Sequence, residues 1–346
     1  MKKNLLILSS SLFVGFSTQA QTWTSANEAT VGTSVTMYVV DSNAVDYAAL
    51  TGAGQTWDYS NLAGYTNNEK IVGVSDPSTG LFSAEFPNST HSLVIPGFVE
   101  TFYTFDANEK LVQGFVFEID GFGDGIVDLS TDNLKALEYP MALGSSFHDD
   151  NIEGVFTIGS DSNPAQGEAW VEADGTGTLM LANGVTHTDV IRIRTIDTIY
   201  TAIDPGLGFP APITIARRQY DYMKSSVSSL PLFSFARFDV LNQFVPITFG
   251  IVLSTENPTG FVSVTELTNE KELNVYPNPS NGVFTVTVPQ LDNATIVVYD
   301  AIGKIVKRVV PTSTDTQINI SNEPKGMYFV KVSTVNDNKT IKVVVK

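Results

Sequence analysis

The residues whose types and spacing come nearest to chemistry are the aspartates of Asp120-Gly121-Phe122-Gly123-Asp124-Gly125-Ile126-Val127-Asp128. Carboxylates at relative positions 1, 5 and 9 with glycine at 6 partly match a calcium loop, where oxygens replace water around a hard cation and glycine permits the sharp turn. Phe122 at position 3 and Thr131 at position 12 depart from that pattern, and a solvated loop between two strands is the plainer reading. Calcium on Asp120, Asp124 and Asp128 is the one cofactor the sequence suggests.

Other chemistries find less support. No Gly-x-Ser-x-Gly elbow occurs, since Gly73-Val74-Ser75-Asp76-Pro77 lacks the second glycine, and no Ser-x-x-Lys is placed to acylate. His91, His148 and His187 each stand alone in turn-rich sequence, and there is no His-Glu-x-x-His zinc motif. Glycoside hydrolysis needs two carboxylates about 5 to 10 Å apart. With 37 Asp+Glu such pairs arise by chance, so no catalytic residue is assigned. Trp57, in Gly54-Gln55-Thr56-Trp57-Asp58-Tyr59, reads as a core anchor beside a turn rather than a stacking platform for a sugar.

These residues sit in a chain of 346 with 20 Lys+Arg, 37 Asp+Glu and a formal charge of −17. Nucleic acid is excluded as a partner because a polyanion needs a basic footprint. The absence of cysteine removes disulfides, thiol nucleophiles and Cys-based metal sites. Apolar residues at 42% and charged residues at 16% indicate a folded chain, large enough to bury a core without staples.

Met1 to Ala20 has the form of a secretory signal peptide: Lys2 and Lys3, a short apolar stretch from Leu5 to Phe16, then Thr18-Gln19-Ala20 before the cut. The apolar stretch falls short of the roughly 20 residues that span a bilayer, and no transmembrane segment is expected in the mature chain.

From Thr22 the hydrophobic period is mostly two, with Gly, Asn, Asp and Pro at hairpin spacing. One hairpin is expected from Phe98–Phe105 into Leu111–Ile119. Another is expected from Glu168–Ala173 through Asp174-Gly175 into Thr178–Leu181, and Asn183-Gly184 is the next turn. Further strands are expected at Val31–Val40, Gly154–Ile158, Ile213–Met223, Phe233–Val240 and Pro246–Leu253, with short helical pieces only at Asn43–Leu50 and Asp132–Leu137. Arg192, Arg194, Arg217 and Arg218 read as partners of cross-strand ion pairs. The expected fold is all-β: a β-sandwich passenger over 21–266, as one or two small sandwiches with a division near Tyr139-Pro140. A linker at 267–272 and a small immunoglobulin-like sandwich over 273–346 follow.

The last segment holds Tyr276-Pro277-Asn278-Pro279-Ser280-Asn281-Gly282, the turn Tyr299-Asp300-Ala301-Ile302-Gly303-Lys304, Gly326-Met327-Tyr328-Phe329-Val330, and Lys342-Val343-Val344-Val345-Lys346. Four motifs in this order resemble the C-terminal sorting domain of type IX secretion cargo in Bacteroidota. The resemblance assigns the sorting signal to Tyr276, Pro277, Asn278, Pro279, Gly282, Gly303, Gly326 and Lys342–Lys346. It implies an outer-membrane translocon and a surface sorting peptidase as partners, and a secreted or cell-surface location. Gly54–Leu62 and Ala173–Leu179 with Asn183-Gly184 resemble other secreted proteins of that bacterial group, a likeness that brings no activity with it. Asp197-Thr198-Ile199 fits the O-glycosylation acceptor pattern of the same group.

The charge then divides by segment. Residues 273–346 carry 8 Lys+Arg and 5 Asp+Glu, whereas 21–272 carry 10 and 32, a formal −22. The expected function is a non-enzymatic binding or structural β-domain exported to the cell surface, with an extracellular glycan as a candidate partner. A secreted polysaccharide hydrolase is the alternative, and a groove with paired carboxylates and aromatic rims would favour it.

Overall fold

The computed structural model describes residues 21–119, 123–203, 210–242, 247–261, 274–288, 291, 294–300, 304–333 and 338–346. The signal-peptide and linker expectations, Asp120 and Gly303 lie outside them.

Twelve strands follow one another round a ring. They are β1 (Ser34–Val40), β2 (Ala63–Ser75), β3 (His91–Ile95), β4 (Val99–Phe105), β5 (Glu109–Ile119) and β6 (Gly123–Asp132), then β7 (Ser146–Ile158), β8 (Asp161–Met180), β9 (Thr186–Ile203), β10 (Ala211–Met223), β11 (Phe233–Asn242) and β12 (Ile247–Ser254). Each pairs antiparallel with the next, and β12 returns to β1 through Val252↔Val40, Leu253↔Val39 and Ser254↔Tyr38. The body is thus a closed up-and-down β-barrel, which corrects the expected sandwich. Alternation along a strand reports only that one face is buried; pairing between the first and last strands decides that the sheet covers itself. Strands on both sides of Tyr139-Pro140 belong to this ring, with β6 paired to β7, so no division occurs there.

The alternation is plain on β8, where Ala169 and Val171 are buried and Trp170 between them is 52% exposed. Val127, Leu129, Phe156, Ala169, Ile199 and Ile213 share the interior. Each large apolar side chain so buried stabilises the fold by roughly 1.5–3 kcal/mol. Trp23 is fully buried with Val171, Ala173, Ile191, Ile193 and Met223, so the N-terminal segment closes over part of the same core.

Two sequence signals resolve differently from expectation. Asp174-Gly175 does not turn a hairpin: β8 runs unbroken for 20 residues, with register shifts after Ala173 and after Gly177. The glycines instead permit close approach. A Cβ on Gly177 would lie 2.0 Å from the Gln55 carbonyl oxygen and one on Gly175 2.7 Å from the Trp57 ring, because the strand Gly52–Asp58 pairs parallel with β8. The helices also fail to form. Asn43–Leu50 is turns, and Leu134–Glu138 is a short strand on β5 whose Leu134 and Leu137 are buried. Asn183-Gly184 does turn the chain, with φ of 60° and 75°.

The segment from Tyr47 to Leu62 covers part of the outer face of β8–β11, where Tyr47, Trp57, Tyr59, Tyr220, Tyr222 and Phe233 form a second core. Trp57 is 1% exposed and donates to the Leu50 carbonyl at 3.0 Å, a core anchor as expected.

Among the described residues of 274–346 there are seven strands in two sheets. One joins β13 (Asn274–Tyr276), β14 (Val283–Thr287) and β17 (Asp315–Asn319). The other joins β16 (Ile305–Val309), β15 (Thr295–Asp300), β18 (Gly326–Ser333) and β19 (Asn338–Val345). Phe284, Val286, Ile296, Val298, Val330 and Val343 fill the space between them.

Candidate functional site

The part of the β8–β11 outer face that the Tyr47–Leu62 segment leaves uncovered is a built surface. Cross-strand register places His148, Trp170, Ile196, Arg218 and Arg237 in one row across β7 to β11. The adjoining row is Glu168, Thr198, Ala216 and Asp239, and the next Gln166, Tyr200, Thr214 and Leu241. Strictly period-two side chains put all three rows on one side of the sheet. Small residues Thr198, Ala216 and Thr214 form its floor, while Trp170, Tyr200 and Leu241 remain half exposed.

Trp170 is held rather than free. The imidazole of His148, directly opposite it, stacks on the indole with ring centroids 3.7 Å apart and planes 10° from parallel. Glu168 holds His148 in turn, with Nε2 3.0 Å from its carboxylate. One ring face is therefore occupied and the rest of a large apolar ring is left to solvent. A rigid exposed aromatic on a flat polar face offers stacking area at low entropic cost.

The arginines divide. Arg194 pairs with Glu172 at 2.5 Å and Arg217 with Asp197, each directly across the ladder as expected. Arg237 approaches Asp239 at 3.2 Å, and Asp239 also accepts from Thr248 at 2.6 Å. Arg192 is fully buried under the Tyr47–Leu62 segment, clamped by Asp174.

Inside the ring lies a polar chain that sequence reasoning missed. Arg217 Nη1 donates to Gln219 at 3.0 Å, Gln219 Nε2 to Asp221 at 2.7 Å, and Ser234 Oγ to Asp221 at 2.6 Å. Burial pushes the Asp221 carboxyl above its usual range despite these donors. Lys110 lies against Glu28 at 2.8 Å and over the Tyr103 ring. Burial tends to raise the Glu28 carboxyl, but the Lys110 charge and donation from Lys110 and Trp23 hold it below the ordinary value. The signal that could have exposed this interior is the alternation Arg217-x-Gln219-x-Asp221, polar residues at the period that buries a strand's face.

The sequence candidates are scattered. Asp124 and Asp128 lie on β6, not in a loop. Extended backbone separates them by about 13 Å, too far for two ligands of one ion. His91 stacks on Tyr103; burial and the Lys110 charge lower its pKa. His187 lines an open depression of about 440 Å³ with Ser228, Ser229, Thr255 and Glu256, its pKa lowered by burial and by Lys224. Glu256 is the one carboxylate among the lining residues, so this depression lacks the acid pair of a glycosidase. Thr198, the O-glycosylation candidate, stands mid-strand on the floor of the exposed face.

In the tail, the sorting-signal residues explain one another. Asn278 donates from Nδ2 to the Lys342 carbonyl at 2.7 Å and accepts from the Val344 amide at 2.9 Å. Ser280 N–H donates to Val344 O, and Lys346 N–H to Ser280 O. The Pro277–Gly282 run therefore bolts down the final strand, whose Val343 and Val345 enter the core. Gly282 sits at φ +94° with its Cβ position 2.5 Å from Ser321 Cα, a place only glycine fits. Tyr276 is half exposed, Pro279 follows Asn278 within the run, and Gly326 opens β18.

A closed β-barrel with an aromatic face left exposed among the described residues, and a small two-sheet domain after it in sequence, is the class this architecture defines. Residues 274–346 match the family described as the secretion system C-terminal sorting domain. They are a type IX secretion sorting domain, which engages that secretion machinery, and the protein is secreted or displayed at the cell surface. Over 84 residues the chain is 31% identical to Beta-agarase A of Zobellia galactanivorans, covering 23% of this chain and 16% of the agarase. The chain thus spans less than a fifth of that relative's length. Among the described residues no helix is long and apolar enough to cross a membrane.

Proposed function

We propose that the exported barrel is a carbohydrate-binding domain that holds a saccharide chain against the Trp170 face. The observation that carries the reading is the Trp170–His148–Glu168 arrangement: a half-exposed indole fixed by stacking on an imidazole that Glu168 holds by a hydrogen bond, beside a floor of small residues. Sugar rings present C–H faces to aromatic rings and hydroxyls to the polar groups around them, and this surface offers both. Of the acids on this face, the two in the Thr198 row do not suit hydrolysis. Glu168 and Asp239 stand three strand spacings apart, about 14 Å, beyond the roughly 5 to 9.5 Å of glycosidase pairs.

The test is affinity electrophoresis and calorimetry of the full chain against a panel of soluble polysaccharides, with Trp170→Ala alongside. Retarded migration that Trp170→Ala abolishes, with no reducing ends released, is the expected result. Binding unaltered by Trp170→Ala removes the face from the reading, and release of reducing ends restores the hydrolase alternative.

A further inference from the structure

We infer that the saccharide carries acidic groups, carboxylate or sulfate, and that Arg218 and Arg237 receive them; this rests on the carbohydrate reading of the same face. The two arginines are directly opposite each other on β10 and β11. Like charges directly opposite on one face destabilise a ladder. Both are exposed, and their only acidic neighbour in ion-pair contact, among the described residues, is Asp239, which Arg237 meets at 3.2–3.3 Å and Thr248 also engages. Arg218 makes no contact ion pair among the described residues, and it is a minor contributor, after Thr248 and Arg237, to holding the Asp239 carboxyl below its ordinary value. In a body with 32 acids and 10 bases, an acid opposite Arg218 would be the ordinary outcome, and it is absent where the exposed indole is nearby.

The spacing suits one ligand touching both features. Arg218 stands in the Trp170 row two strand spacings away, about 10 Å, with Ile196 between them. A sugar ring stacked on Trp170 therefore places a substituent of the next unit near the guanidinium pair. The planar fork of arginine matches carboxylate and sulfate oxygens two at a time, and two guanidiniums sharing one anion relieve their mutual repulsion. The acidic body does not forbid this. At physiological ionic strength charges beyond about 8 Å are largely screened, and isolated acidic groups along a sugar chain need one cationic pair rather than the continuous footprint a nucleic acid requires.

The experiment titrates the full chain with dextran as the neutral probe, polygalacturonate as the carboxylate probe and carrageenan as the sulfate probe, at low and high salt. The expected result is at least about tenfold tighter binding of one or both acidic probes than of dextran, a margin that shrinks with salt. Arg218→Gln and Arg237→Gln each reduce that margin, while Trp170→Ala weakens every probe. Whichever acidic probe binds more tightly identifies the anionic group. Equal affinity for neutral and acidic probes overturns this inference and leaves the carbohydrate reading standing. An acidic preference untouched by both arginine variants also overturns it. Failure of all three probes to bind overturns both.

Discussion

Arg192 and Asp174 meet in a two-pronged ion pair, Nε to Oδ1 at 2.7 Å and Nη2 to Oδ2 at 3.0 Å, with no solvent reaching the guanidinium. Its remaining nitrogen Nη1 donates to the carbonyls of Ala49 at 2.8 Å and Tyr47 at 3.3 Å. Trp57, Tyr220 and Tyr222 surround it with their rings. One side chain from β9 thereby ties the Tyr47–Leu62 cover to the bulge in β8.

Breaking this pair on one side leaves a buried charge uncompensated. Arg192→Met or Asp174→Leu alone is expected to cost about 3–5 kcal/mol in urea unfolding, and the double substitution distinctly less than the two single costs together. Costs that simply add would show that the two residues do not act as a unit.

The close approach at Gly177 predicts a backbone effect. Gly177→Ala forces a methyl to within 2.0 Å of Gln55 O, so the Gly52–Asp58 strand must move off β8. A loss of roughly 1–3 kcal/mol is expected, with faster amide exchange confined to that strand. Gly144→Ala, whose Cβ has nothing within 4 Å, serves as the comparison for a positive φ without crowding.

Stability should depend on pH in two opposed ways. Glu28 has a folded pKa below its ordinary value, so its contribution is full above the unfolded pKa and is lost as pH falls through the folded one. Asp221 has a raised folded pKa, so the fold loses stability as pH rises from the ordinary carboxylate range through that raised value. Glu28→Gln should flatten the acid limb of a stability profile and Asp221→Asn the limb above it. Unchanged profiles in both variants would contradict these assignments.

Asn278 predicts a separable defect in export. Asn278→Asp keeps the acceptor for Val344 N–H but loses the donor to Lys342 O, and Asn278→Ala loses both. At about 1 kcal/mol for each hydrogen bond, the expected order of secretion into the medium is wild type, then Asp, then Ala. Deletion of Val343–Lys346, which removes two core valines, should abolish it.

Much of this molecule is legible from local pattern. Period-two alternation with Gly, Asn and Asp punctuation determines an all-β chain, the hairpin around Asp106–Asn108 and the turn at Asn183-Gly184, because one residue's neighbours along the strand already dictate its face. The tail motifs determine the export address, since short motifs in a fixed order over 274–346 are enough to match the sorting-domain family.

Contacts between residues far apart in sequence decided the rest. Val40 against Val252 closes a barrel where alternation alone allowed a sandwich, and Trp57 with Arg192 turns Asp174-Gly175 from a hairpin signal into a bulge. The exposed face is likewise a product of register: Trp170, Arg218 and Arg237 lie in three separate strands, and a slip of one residue would send each to the other side of the sheet. The chain specifies which residues alternate, but only the pairing of strands specifies which of them meet.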